Sequence, residues 1–358
     1  MKRNFCLRQA KNNTMKKLNL FDKLIYLVNS IFAFILLFSY IIPEIKPSIL
    51  SYASLLSLFI PIIIIINILF VFYWIIKLKK QFILSLAVIL LGYNYLISFI
   101  NFSNDSVNVS GKNLSVMSYN VNVFNYNKFN NELKQKLSRD SIISYTSTQE
   151  VDIISFQEYS NKFPFEFKSY PYKFESLREG YLNFGQAIFS RFPINSSGTI
   201  KFENSNNGAI FTDIIINRDT IRIYNIHLQS FKFDKSLEVS EFNENSDKLL
   251  KDLNNTFQIQ QGQAEILESH ISNSPHRVVV SGDFNNTAFS YTYNLIKSDL
   301  KDSFVEKGSF LGQTYNYNSI PLRIDFILVD KLFKVNDFKI EKVKYTDHSP
   351  IISKFTIN

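Results

Sequence analysis

A single cysteine, Cys6, stands among 358 residues, so no disulfide can close within the chain and no cysteine-based zinc site is available. Histidine is nearly as scarce, with four copies, which makes the pair Asp347 and His348 in the C-terminal stretch KYTDHSPIISKFTIN stand out. Charge is missing altogether from three apolar runs, residues 24–42, 49–76 and 82–100. Each is about as long as a bilayer core demands, roughly 17 to 25 residues, the middle one being longer and able to tilt. No small-residue cleavage site accompanies them, which argues against a removed signal peptide. The runs predict three transmembrane helices, and Pro61 inside the second is tolerated there as a kink.

The charge that is present is unevenly placed. Residues 1–109 hold 11 Lys+Arg against 3 Asp+Glu, whereas residues 110–358 hold 28 of each. The net charge of +8 therefore belongs to the membrane segment and is no nucleic-acid footprint. Basic residues from Lys2 to Lys23 precede the first run, and Lys77, Lys79 and Lys80 separate the second from the third. By the positive-inside rule both segments are cytoplasmic, the 43–48 loop faces outward, and the chain beyond residue 101 is extracytoplasmic.

Residues 101–112 read as a polar linker and 113–358 as a domain large enough to build a core without disulfides. Its expected strands are 114–119, 151–156, 185–189, 209–216, 220–228, 277–281, 323–329 and 351–356, with a hairpin turn at 217–219. Helices are expected over 140–149 and 258–271, giving a mixed α/β class. There is no internal repeat, and the charged stretch 232–255 has no assignment.

Polar side chains fit for chemistry recur where these strands end. SYNVNVF supplies Asn120 and Asn122, DIISFQE supplies Gln157 and Glu158, and YNIHLQS supplies Asn225 and His227. VVVSGDFNN adds Asp283 and Asn285, RIDFILV adds Arg323 and Asp325, and TDHSPI ends the series. Taken singly each is weak: a strand-end Glu158 is usually a solvated charge, GDFNN reads equally as a turn, and His227 equally as a surface or core residue. His270 and His276 read as structural. Asp325 is harder to dismiss, because an acid set among apolar residues needs a partner once buried.

In this order and spacing SYNV, DIISFQE, GQAIFSRFP, YNIHL, SGDFN, RIDFIL and TDHSPI resemble the endonuclease/exonuclease/phosphatase superfamily over about residues 112–358. The resemblance implies a four-layer α/β sandwich, two packed β-sheets flanked by helices, and a phosphoric diester hydrolase that uses Mg²⁺ or Mn²⁺. By position it implies Glu158, Asn120 and Asp347 at the metal, and Asp283 orienting or deprotonating the attacking water. Asn285 would hold the phosphate, and His348 would act with Asp325 behind it. His227 corresponds to the second histidine of the deoxyribonuclease and sphingomyelinase branches. Arg191 in FSRFP is either a phosphate contact or a surface-turn arginine. Asn122 departs from the repair-endonuclease branch, which has an acid there, and this puts one metal ligand in doubt. RIDFIL lacks the Trp-x-x-Arg form of the inositol-polyphosphate phosphatase branch.

Phosphodiester cleavage needs a nucleophilic water, neutralised phosphoryl charge and a protonated leaving oxygen, and these residue types can supply all three. The expectation is a membrane-anchored, extracytoplasmic, nuclease-like phosphodiesterase. Its partners are a phosphodiester, with nucleic acid favoured and phospholipid second, and the bilayer; no protein partner is inferred. The competing class is an inactive tethered binding domain.

Overall fold

A computed structural model describes residues 18–50, 52–103, 112–180, 182–203, 205–231, 242–317 and 320–357. Cys6, the basic residues up to Lys17, most of the expected linker and the stretch 232–241 lie outside the described residues. The chain divides into two units, Met1–Phe38 with Ile62–Gly92, and Ser39–Pro61 with Tyr93–Asn358.

Among the described residues two helices are long and apolar enough to cross a membrane, α1 (Leu20–Ser39) and α2 (Ala53–Ile76). The third expected run is interrupted at Gly92, where the weakest helix former after proline sits at φ −97° and ψ 31°, leaving α3 (Phe82–Leu91) and α4 (Tyr93–Phe99). It counts as a span only as a bent pair, so the expected straight third helix is not what forms. Inside the first unit the polar side chains bond one another. Asn29 Nδ2 donates to Ser85 Oγ at 2.8 Å, Ser85 Oγ to Asn67 Oδ1 at 2.9 Å, and Trp74 Nε1 to Asn29 Oδ1 at 2.8 Å. Large apolar side chains such as Phe34, Leu69 and Phe72 stay exposed, a pattern compatible with a membrane anchor.

The second unit is built on two six-stranded sheets. The strands of these two sheets are β1 (Lys112–Asn120), β2 (Ile153–Ser160), β3 (Tyr172–Arg178), β4 (Phe184–Ser190), β5 (Ile194–Lys201), β6 (Gly208–Ile216), β7 (Asp219–His227), β8 (Arg277–Asp283), β9 (Lys301–Asp302), β10 (Asp325–Val329), β11 (Lys334–Ile340) and β12 (Ile351–Ile357), and two short pairings, Ile100–Phe102 with Ser309–Leu311 and Tyr315–Tyr317 with Ile320–Leu322, lie outside them. One sheet has the order β11-β12-β1-β2-β4-β3, and the other β9-β10-β8-β7-β6-β5. Each contains a single parallel pair, β1 with β2 and β7 with β8, joined by a crossover helix, α5 (Glu132–Thr148) or α6 (Phe242–Ser272). Two further helices follow, α7 (Tyr291–Lys297) and α8 (Ser303–Lys307).

Period-two alternation assigns the faces. Leu114, Val116, Ile153, Ile188, Ile223, Val279 and Ile327 fill the space between the sheets. The outer face of the first sheet packs aromatic rings, Phe124, Phe156, Tyr159 and Phe189, together with Ile142 of α5. The outer face of the second carries Tyr224, Val280 and Phe326 against Ala264 and Leu267 of α6. The two mixed sheets are thus packed face to face and flanked by helices, as expected. Both long helices start earlier than the sequence suggested, because the polar sequences of their first turns carry little apolar period.

Candidate active site

Within each parallel pair both strands end on the same rim, and β10 and β12 begin there. The strand-end residues therefore meet. Asn120 Nδ2 donates to Asp283 Oδ2 at 3.0 Å and to Glu158 Oε1 at 3.3 Å. His227 Nε2 lies 3.8 Å from both Glu158 Oε1 and Asp283 Oδ2. His348 Nε2 lies 3.7 Å from Asp283 Oδ2, and its Nδ1 is 3.0 Å from Asp325 Oδ2. Asp347 joins through Asn122, whose Nδ2 donates to Oδ1 at 2.9 Å. Asn285 is held beside Asp283 by its own N–H, which donates to Asp283 Oδ1 at 2.8 Å, while its Nδ2 donates to Leu228 O.

Local backbone features aim these groups. Glu158 is the extra residue of a β-bulge between Gln157 and Tyr159, at φ 49°, which turns its carboxylate out of the alternation and onto the rim. Gly282 adopts φ 146°, and a Cβ there would fall 2.0 Å from Ile226 O, so only glycine lets β8 approach β7 and present Asp283. Residues 122–125 are all left-handed, φ 46° to 58°. Asn122 and Asn125 stabilise this turn by bonding Asp347 and Tyr345 O.

Arg191 is not brought to the site. β4 runs antiparallel to β2 with Gln186 opposite Gln157 and Ser190 opposite Ile153, so the arginine that follows Ser190 lies at the far end of the sheet. There it stacks over Tyr170 and sits 4.0 Å from Asp152. Arg323, near the rim in sequence, turns inward to Asp302 at 2.7 Å. Sequence reasoning gave no role to Thr314, whose Oγ1 accepts from the Asp325 N–H at 3.2 Å, or to Tyr315, whose ring lies 4.7 Å from that of His348. Thr314 precedes and Tyr315 opens a three-residue strand, Tyr315–Tyr317, too short to give a periodic signal. Gln157 and Asn225 form the floor, Nε2 to Oδ1 at 2.7 Å.

Electrostatics separate the groups. Burial raises the Asp283 carboxyl to about 6, with the neighbouring histidines opposing it. Burial alone would lower His348, but Asp325 and Asp283 outweigh it and raise it to about 10, so His348 is an imidazolium at neutral pH. His227 is lowered by burial and is the neutral imidazole of the pair. Its buried Nε2 has no hydrogen-bond partner among the described residues, an orphan that calls for a ligand between the two carboxylates. Asp283, Asp325 and His348 offer ligand atoms within 4.8 Å of one another. The oxygen ligands expected from the sequence border this cluster: Asn120 bonds Glu158 and Asp283, and Asp347 is reached through Asn122. Carboxylates with an amide oxygen suit a hard divalent cation.

Two mixed sheets in this arrangement, with carboxylates, amides and paired histidines on their common rim, define a phosphoesterase fold. The sequence model of the Endonuclease/Exonuclease/phosphatase family matches residues 117–348, and the chain belongs to that family. It is accordingly a phosphodiester hydrolase, of a family dependent on divalent metal. Residues 22–99 match a domain of unknown function, DUF8431. Among solved structures, an endonuclease/exonuclease/phosphatase family protein from Bacteroides thetaiotaomicron is similar at TM-score 0.52 and 16% identity, over 70% of this chain and 100% of its own. D. rerio TDP2 complexed with single strand DNA product matches at 0.52 and 17%, over 69% and 100%. ANGEL2, a 2',3'-cyclic phosphatase, matches at 0.52 and 15%, over 70% and 96%. No curated relative matches the chain.

Proposed function

We propose that the chain is a membrane-anchored, divalent-metal-dependent phosphodiesterase that cleaves nucleic acid on the extracytoplasmic side. The observation that carries the chemistry is the continuous hydrogen-bonded and ionic line Asp325, His348, Asp283, Asn120, Glu158 across the rim. Glu158, Asn120 and Asp347 would hold Mg²⁺ or Mn²⁺, which when bound supplies charge neutralisation at the phosphoryl oxygens. Asp283, a carboxylate at neutral pH, orients the attacking water and takes its proton. His348, kept cationic by Asp325, faces the phosphoryl oxygens as a clamp. Neutral His227 serves the same reacting group from the opposite side, and Asn285 keeps one amide hydrogen toward the phosphate.

Placement rests on parity. Within the second unit, Lys46 Nζ lies 2.9 Å from Glu265 of α6, the Ser48 N–H donates to Gln261 at 2.9 Å, and Asn294 of α7 donates to Glu44 at 3.0 Å. A loop between two crossings that touches the catalytic domain must share its side of the membrane. That supports counting the α3 and α4 pair as one crossing, and the lysines after α2 then support an outer catalytic domain.

The D. rerio neighbour carries a single strand DNA product, which makes nucleic acid the first substrate class to assay. Full-length protein in detergent should cleave single-stranded or plasmid DNA, or RNA, with Mg²⁺ and stop with chelator. Hydrolysis of sphingomyelin or phosphatidylinositol vesicles without any nucleic-acid cleavage would replace this reading with a lipid diesterase. Inertness on both, with metal bound, would make the domain a tethered binding module.

A further inference from the structure

The catalytic rim does not stop at His227. Register carries one row of side chains across the second sheet: Asp325 pairs Asp283, Asp283 pairs His227, His227 pairs Gly208, and Gly208 pairs Lys201. Cross-strand partners share a face, so all five positions look onto the space between the sheets. A cavity of about 550 Å³ opens there, with Glu158 and His227 at one end and Lys201 and Arg178 among its other walls. Gly208 has no side chain to interrupt it. A Cβ there would make only ordinary contacts, 3.4 Å from Ile200 O, so the backbone does not require glycine and the open space is the consequence that matters.

The two ends differ in charge. Among the described residues Glu158 is the only acid that lines the cavity, and Lys201 and Arg178 are its cations. Lys201 is exposed, and no carboxylate pairs with it among the described residues. Arg178 donates to Ser205 O and to Asn206 Oδ1, which fastens the turn before β6 beside the groove. Thr199 Oγ1 donates to Ser176 Oγ at 3.2 Å and ties the two sheets together along the groove. Three strand spacings of about 4.8 Å put Lys201 on the order of 14 Å from Asp283. That is too far for the phosphate under attack, which must lie within hydrogen-bond reach of Asp283 and His348. It fits another phosphate of the same strand.

We infer that this groove is a subsite for a flanking backbone phosphate of a single nucleic-acid strand, bound by Lys201 with Arg178 beside it, so that the enzyme selects polymers over single diesters; the inference rests on the nuclease reading above. The ligand class follows from the two cations and from the hydroxyls and amides of Ser176, Thr199 and Asn207 between them, a lining that matches a polyanionic chain better than an acyl chain.

The test uses full-length protein in detergent with Mg²⁺ and two substrates, a dinucleoside monophosphate with one phosphate and a pentanucleotide with several. Wild-type kcat/KM should be at least tenfold higher for the pentanucleotide. Lys201→Ala should remove most of that preference through KM, Lys201→Arg should restore it, and Gly208→Val, which fills the groove, should also abolish it. In an Asp283→Asn background, pentanucleotide binding by anisotropy should lose about 0.7 from its log–log salt slope on adding Lys201→Ala, the value of one single-strand phosphate contact. Cleavage of both substrates with no length preference, or an unchanged salt slope, overturns the subsite while leaving the nuclease reading intact. Failure to cleave or bind either oligonucleotide overturns both.

Discussion

His348 lies between two carboxylates, and its proton is the hinge of the chemistry. Asp325 is 3.0 Å from Nδ1, and Asp283 is 3.7 Å from Nε2. The signs are opposite for the two reacting groups. An Asp283 carboxyl raised to about 6 is protonated below that pH and can no longer take a proton from water, so kcat/KM falls on the acid side. An imidazolium raised to about 10 keeps its charge through neutrality and loses it only above that pH. The rate profile should be a bell with limbs near those two values. Asp325→Asn should move the alkaline limb down toward the ordinary imidazole value of 6.5. An alkaline limb that stays put would show that Asp325 does not hold the proton on His348. Asp283→Asn and His348→Ala should each lower kcat by roughly 10² to 10⁴, the usual contribution of a positioned acid or base. Glu158→Gln should act differently, raising the Mg²⁺ concentration needed for half-maximal rate, which a metal titration reads directly. Most of these residues were legible because a polar side chain directly after an apolar alternating run marks a strand end. Arg191 misled for the same reason: a strand end says nothing about which rim it reaches, and β4 runs the other way.

At the scale of elements, the site depends on three local departures from regular backbone, and the sequence announces them unequally. The glycine in SGDFN was read as permitting a turn, and it stands at φ 146° with β7 backbone pressed against it. Gly282→Ala must therefore either push the strands apart or distort the peptide before Asp283. A cost on the order of 3 kcal/mol, about 6 to 12 °C in Tm for a domain of this size, is the expected result in a thermal melt. A melt within a degree of wild type would mean that β7 and β8 do not approach as closely as described. The bulge at Glu158 had no signal, since DIISFQE reads as an unbroken strand. The left-handed turn at 122–125 had a faint one in the density of Asn in NVNVFNYN, the residue type that tolerates that region best after glycine. Edge strands were hidden for a related reason. β3, β5 and β11 are half-exposed, with sequences such as INSSGTIK that carry no clean alternation, so the sheets were legible at their centres and not at their margins.

For the whole molecule, the proposed membrane topology rests on length and on charge. Apolar runs can be counted from the sequence, but Gly92 breaks the third, so composition alone leaves two crossings or three. Two crossings would return the catalytic domain to the side of the N-terminus, opposite the 43–48 loop. The contacts of Lys46, Ser48 and Asn294 place that loop against α6 and α7, and a loop cannot touch a domain across a bilayer. The proposed topology therefore counts three crossings, and under it the positive-inside rule reads Lys77, Lys79 and Lys80 after α2 as a cytoplasmic segment. The prediction is concrete. A reporter that is active only outside the cytoplasm should work when joined after residue 45 and after residue 103, and should be silent after residue 79; a cytoplasmic reporter should give the inverse pattern. Activity after residue 45 with silence after residue 103 would mean that the bent pair does not cross, and would put the hydrolase in the cytoplasm with intracellular nucleic acid as its accessible substrate. The Lys46 contact supplies an independent check. Lys46→Cys with Glu265→Cys, two exposed positions 2.9 Å apart by their charged atoms, should crosslink in intact membranes under a thiol-reactive bridging reagent, and a membrane-impermeant reagent should succeed only if the loop and the domain share the outer face.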